Sequence, residues 1–108
     1  MSTLPPQPIA EYFAAQNAHD IDAMLASFSA DALVIDEGKD RRGLAAIRGW
    51  IDETTCKYRP SIAVLSSVET AAGVTATVRV SGTFPGSPLD ITYCFTLEDG
   101  KIVRLEIH

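Results

Sequence analysis

The sequence predicts a single α+β domain spanning residues 1–108, with three N-terminal helices packed on a curved, mostly antiparallel sheet that encloses a pocket. Three observations predict it. Apolar residues recur three and four apart in the first half, they alternate every second residue in the second half, and short turn-type segments join the alternating runs. Helices followed by a meander of strands bury their apolar faces against one another in two layers. A chain of 108 residues, 46% of them hydrophobic, supplies one such core and is too short for two.

Residues Met1 to Gln7 read as an extended leader, with Pro8 in the first turn of a helix that runs to about Ala18. Ile9, Tyr12 and Phe13 share its inner face. Asp20 is a good N-cap for a short second helix carrying Ile21, Met24, Leu25 and Phe28. Ala32 to Asp36 and Arg41-Arg42 flank a turn and form a small hairpin. Leu44, Ile47, Trp50 and Ile51 mark a third helix ending near Thr55, before Pro60. Strands follow over Ser61–Glu69, Val74–Phe84, Leu89–Leu97 and Lys101–Ile107.

Composition narrows the function. A net charge of -5 repels phosphate backbones and anionic membrane surfaces, which argues against nucleic acid and membrane as partners. The start MSTLPPQPIA lacks the charged, apolar pattern of a secretory signal, and no apolar run is long enough to span a bilayer, so a cytoplasmic location is expected. Cys56 and Cys94 read as small buried hydrophobes. Without a histidine–carboxylate cluster at ligand spacing or a glycine-rich cradle, neither a metal nor a cofactor is expected.

The alternation of the first hairpin strand groups Ala32, Val34 and Asp36, which sets a carboxylate at the end of an apolar row. A carboxylate withdrawn from water exchanges protons closer to neutral pH, as acid–base catalysis requires. An aspartate beginning an Asp-Glu-Gly turn also bonds the backbone two residues on, and the spacing leaves both readings open. Tyr93 lies in an apolar file with Ile91, Phe95 and Leu97. Tyr12 is either core or a hydrogen-bond donor to an oxyanion. Phe13, Val34, Trp50, Tyr58 and Phe95 are candidate pocket walls, Tyr58 at the mouth. His19 reads as a solvated turn residue, and His108, if held by the last strand, as part of the pocket rim.

Nearly the whole chain resembles the NTF2-like superfamily, within it the ketosteroid isomerases and SnoaL-like polyketide cyclases. The resemblance is carried by EYFAAQNAHDIDAMLASFSADALVIDEG, RGLAAIRGWI and ITYCFTLEDGKIVRLEIH. It implies a cone-shaped fold, a homodimer and a small apolar ligand. It also implies that Tyr12 donates to a developing enolate while Asp36 shuttles the proton. Tyr93 stands where an isomerase has a protonated acid, a departure that argues against steroid isomerisation itself. The chain is also shorter than a typical isomerase through the third helix and the strand after it.

The expected function is therefore acid–base chemistry on a carbonyl compound, isomerase-like or cyclase-like, with Asp36, Tyr12 and Tyr93 as the catalytic set. The alternative is a non-catalytic ligand-binding or protein-interaction domain, since one fold hosts both. A dehydratase or epoxide-opening enzyme would need a further acid or histidine near Asp36, for which Glu37 and His108 are the candidates.

Overall fold

The computed structural model describes residues 6–36, 38–71 and 73–107. Helix α1 (Gln7–Asn17) starts behind Pro6, whose carbonyl accepts from the amides of Ile9 and Ala10 at 3.0 and 2.9 Å. Its Ile9, Tyr12 and Phe13 are buried, as the spacing predicts, and Ala15 and Gln16 are buried with them. Asp20 caps α2 (Ile21–Ala26) by accepting from the Ala23 amide at 3.2 Å.

Phe28 departs from the sequence reading. It opens strand β1 (Phe28–Asp36) rather than closing the second helix. A helix of under two turns has little stability of its own. The Ile102 amide donates to the Ser27 carbonyl at 2.9 Å and draws the chain into the sheet at that point. Strand β2 (Lys39–Arg42) completes the hairpin, and Gly43, at φ +87°, turns the chain into α3 (Leu44–Tyr58). That helix outruns the expected end near Thr55 because Pro60 constrains only the residue before it. Arg59 takes a left-handed conformation, φ 46°, and stops the helix there.

Strands β3 (Ser61–Thr70), β4 (Gly73–Ser81), β5 (Leu89–Glu98) and β6 (Lys101–Ile107) follow, giving a six-stranded sheet in the order β2-β1-β6-β5-β4-β3. Every neighbouring pair is antiparallel except β1 with β6. Strand β4 ends at Ser81, three residues before the expected Phe84, because Gly82 and Thr83 leave the ladder to contact the end of α3. The sheet turns Val74, Ala76, Val78, Tyr93, Phe95 and Leu105 toward the helices. Among the described residues, no helix is long and apolar enough to cross a membrane.

The cysteine expectation fails. Cys56 is exposed on the solvent side of α3, opposite Ile47 and Ile51, and Cys94 is only half-buried because its strand alternates Tyr93 and Phe95 inward.

Strand β3 is a sheet edge, and Asn17 at the end of α1 secures it. The Asn17 Nδ2 donates to the Ile62 carbonyl at 3.0 Å while its Oδ1 accepts from the Ile62 amide at 2.6 Å. His19, exposed as expected and at φ 55°, adds a donation from Nε2 to the Pro60 carbonyl at 3.0 Å. Asn17→Ala removes both bonds to Ile62 and is expected to lower unfolding free energy by about 1–3 kcal/mol in urea titration. Asn17→Asp keeps the acceptor alone and is expected to fall between the two.

Candidate functional site

A cavity of about 370 Å³ opens between α1, α3 and the inner face of the sheet. Asp36 reaches it because the β1 pleat sends Ala32, Val34 and Asp36 inward, the first two fully buried. Trp50, on the buried face of α3, donates its indole Nε1–H to Asp36 Oδ2 at 2.9 Å. An ionised acceptor strengthens such a bond, which fixes the carboxylate's orientation in the cavity wall. Thr54 also lines the cavity, but its hydroxyl is committed to the Trp50 and Ile51 carbonyls at 2.9 and 3.3 Å.

Tyr93 enters the same cavity from β5 and keeps only 5% of its surface exposed. Its phenol is pushed up to about 12, chiefly by burial, with hydrogen bonding to the Gln16 side chain pulling against the rise and the Asp36 charge adding to it. Tyr12 is raised well above the ordinary phenol value, first by burial, then by Tyr93 and Asp36. Both phenols hold their protons at neutral pH, and Tyr93 offers its O–H to the cavity. Gln16, one helical turn beyond Tyr12, lines the cavity as well.

Of the residues expected at the site, Asp36, Trp50, Tyr58 and Tyr93 line the cavity, whereas Tyr12, Phe13, Val34 and Phe95 do not. Those four form the packed layer beneath it. Phe13 meets Tyr93 and Phe95 edge-on at 5.5 and 5.7 Å, and Tyr12 meets Phe95 at 6.0 Å. The Tyr12 hydroxyl is buried without a hydrogen-bond partner. His108 and Glu37 lie outside the described residues. The sequence reading overlooked Gln16, although its i+4 spacing from Tyr12 was a usable signal. It also overlooked Phe84, Pro85 and Leu89 at the mouth, which no local periodicity brings there. Among the described residues, no group of three histidine, cysteine, aspartate or glutamate side chains is placed to hold a metal.

The mouth is built by contact between distant segments. Tyr58 and Phe84 stack edge to face at 5.7 Å, and the Thr83 amide donates to the Tyr58 carbonyl at 2.8 Å. Gly82 passes so close to that carbonyl that a Cβ would overlap it.

The profile of the SnoaL-like domain matches residues 9–105. The chain belongs to the SnoaL-like domain family. A crystal structure from Sinorhizobium meliloti, provisionally described as a polyketide cyclase, superposes with a TM-score of 0.92 at 38% identity over 96% of this chain and 95% of that one. The epoxide hydrolase/cyclase-like enzyme SalBIII, described in pyran ring formation in the polyether salinomycin, is 26% identical, with a TM-score of 0.83 over 94% of this chain and 86% of that chain. A ketosteroid isomerase-like protein from Catenulispora acidiphila, solved with trimethylamine, shares the fold at 18% identity and a TM-score of 0.84, over 97% of this chain and 86% of its own. No curated protein matches the sequence.

Two outcomes follow for this SnoaL-like domain. Because the Tyr93 phenol is raised in the folded state, its contribution to stability is complete below the unfolded value near 10 and is lost as pH climbs through about 12. Alkaline unfolding followed by circular dichroism is expected to be shallower in Tyr93→Phe than in wild type. Gly82→Ala overpacks the mouth against the Tyr58 carbonyl and is expected to cost about 1–3 kcal/mol in denaturant titration.

Proposed function

We propose that this SnoaL-like protein is an acid–base enzyme acting on a small, mostly apolar carbonyl compound of the polyketide kind, isomerase-like or cyclase-like. Asp36 is the proton shuttle, and Tyr93 donates to the oxygen that gains charge. The observation carrying this reading is that one apolar cavity holds both a carboxylate anchored by Trp50 and a buried, protonated phenol. The carboxylate takes a proton from the carbon beside the carbonyl, and the released C–H electron pair moves into an enolate. The Tyr93 O–H bonds the enolate oxygen as its charge develops. The protonated Asp36 then returns the proton to the same or a conjugated carbon. Alternatively the enolate carbon bonds to a second carbonyl carbon and closes a ring, that carbonyl's π pair moves to its oxygen, and the oxygen takes the proton from Asp36 to become a hydroxyl.

Tyr12 stands one layer behind Tyr93 in this scheme, because its hydroxyl lies outside the cavity lining. The descriptions of the Sinorhizobium protein and of SalBIII support a polyketide-like ligand. An epoxide-opening route needs a further acid, and among the described lining residues Asp36 is the only carboxylate.

Deuterium exchange at the α-carbon of ring-shaped ketones, followed by NMR, tests the assignment. Asp36→Asn is expected to lower the exchange rate by about a thousandfold or more, Tyr93→Phe by about a hundredfold, and Tyr12→Phe by less than tenfold. A wild-type protein that binds such ketones and exchanges nothing would be a binding domain instead.

The proposal extends to a cytoplasmic homodimer formed through the outer face of β3, β4 and β5. That face shows Val68 at 56% and Leu65 at 41% exposure, among Thr75, Thr77, Ser81, Thr92 and the Arg79–Asp90 ion pair. A two-fold axis sets the same patch against itself. Sedimentation at micromolar concentration is expected to show a dimer for wild type and a shift to monomer for Val68→Glu.

A further inference from the structure

Gln16 is more than nine-tenths buried, lines the cavity, and its Oε1 has no hydrogen-bond partner. A buried carbonyl oxygen left unpaired is costly, and an amide oxygen can be satisfied only by a donor. The neighbours do not supply one: the Tyr93 oxygen accepts from the Gln16 amide N–H, the sense of bond that lowers the phenol's pKa, and donates nothing to Oε1. The Trp50 N–H is spent on Asp36, the Thr54 hydroxyl on backbone carbonyls, and the Tyr12 hydroxyl, one turn back on the same helix, is itself unpartnered. Asp36 is an acceptor when ionised. The cavity therefore sets the Tyr93 donor beside Gln16, whose unfilled oxygen is closed off from water, on a wall that is otherwise largely apolar.

We infer that Gln16 sets the substrate specificity of this pocket, selecting ligands that carry a hydroxyl or N–H donor close to the reacting carbonyl over ketones that lack one. Enolised β-dicarbonyls, β-hydroxy ketones and phenolic ketones have this pairing of acceptor and donor. Such a ligand accepts from Tyr93 and donates to Gln16 Oε1, so the site's orphaned oxygen is satisfied only when the right compound is present. Sites built to bond a substrate hydroxyl reject analogues without it because their own polar groups then stay unpaired. This inference rests on the acid–base reading for the position of the reacting carbonyl.

The test compares meta-hydroxyacetophenone with meta-methoxyacetophenone by calorimetric titration of wild type and Gln16→Met, a substitution that keeps length and apolar volume while removing the acceptor. Wild type is expected to bind the hydroxyl compound at least about tenfold more tightly, and Gln16→Met to lose that preference. The melting temperature of Gln16→Met without ligand is expected to stay close to that of wild type, since the variant loses the bond from Gln16 to Tyr93 together with the unsatisfied buried oxygen. If the variant does not fold, the Gln16 carboxamide resonance of isotope-labelled wild type decides, because only the hydroxyl compound is expected to shift it. No preference in wild type, no binding of either ketone at its solubility limit, or a preference that survives Gln16→Met overturns the inference. Asp36→Asn is expected to keep the preference while losing α-carbon exchange. Failure of the exchange assay thus removes the catalytic reading alone, and failure of the hydroxyl preference removes the role of Gln16 alone.

Discussion

The structure depends on the aromatic contact between α1 and the sheet. Tyr12 meets Phe28 at 5.5 Å with the rings nearly perpendicular, Phe13 meets Phe95 in the same way, and Tyr93 and Phe95 lie side by side on one strand. Edge-to-face rings gain more than their buried area alone supplies, and they resist sliding. This plug joins the first helix to the first and fifth strands and fills the region beneath the cavity. What it leaves unfilled, nearer the end of α3, is the pocket. The positions of Gln16 and Tyr93 follow from it, since each sits on an element the rings hold still.

The chemistry of the pocket comes from how differently its polar groups are treated. The carboxylate of Asp36 receives an indole N–H at the cavity wall, while the two phenols are drawn deeper and lose their access to water. The same negative charge that makes Asp36 an acceptor discourages ionisation of the phenols near it, so acceptor and donor are kept apart by environment rather than by residue type. Burial adds to this separation without being required for it, because a phenol needs no unusual shift to remain a donor at neutral pH.

Local periodicity made most of the elements legible, and long-range pairing hid the remainder. Ile9, Tyr12 and Phe13 declared a buried helix face by their spacing, and the alternation through Tyr93 and Phe95 declared an inward strand row. Phe28 was read as helical because its spacing from Met24 and Leu25 fits a helix equally well, and only the bond from Ile102, over seventy residues away in sequence, settles it. The parallel pairing of β1 with β6 has no local sign at all. At the site, the inward row ending in Asp36 was legible, but its Trp50 partner was seen only as a wall. Gln16 was missed because a polar residue on an apolar face looks like an exception until its burial is known. The mouth residues Phe84 and Leu89 come from a segment whose place is fixed by the end of α3.

The strand order has a consequence for how the protein is made. Strand β6 lies between β1 and β5, so it alone joins the N-terminal hairpin to the long meander. During synthesis, α1 emerges before the β5 residues it packs on, and the first hairpin, covered by α3, joins the meander only when β6 has formed. Contacts between segments so distant in sequence form slowly, because a large loop must close before any of them is gained. Until then β1 presents one unpaired edge beside exposed aromatic rings, a state open to pairing with another nascent chain.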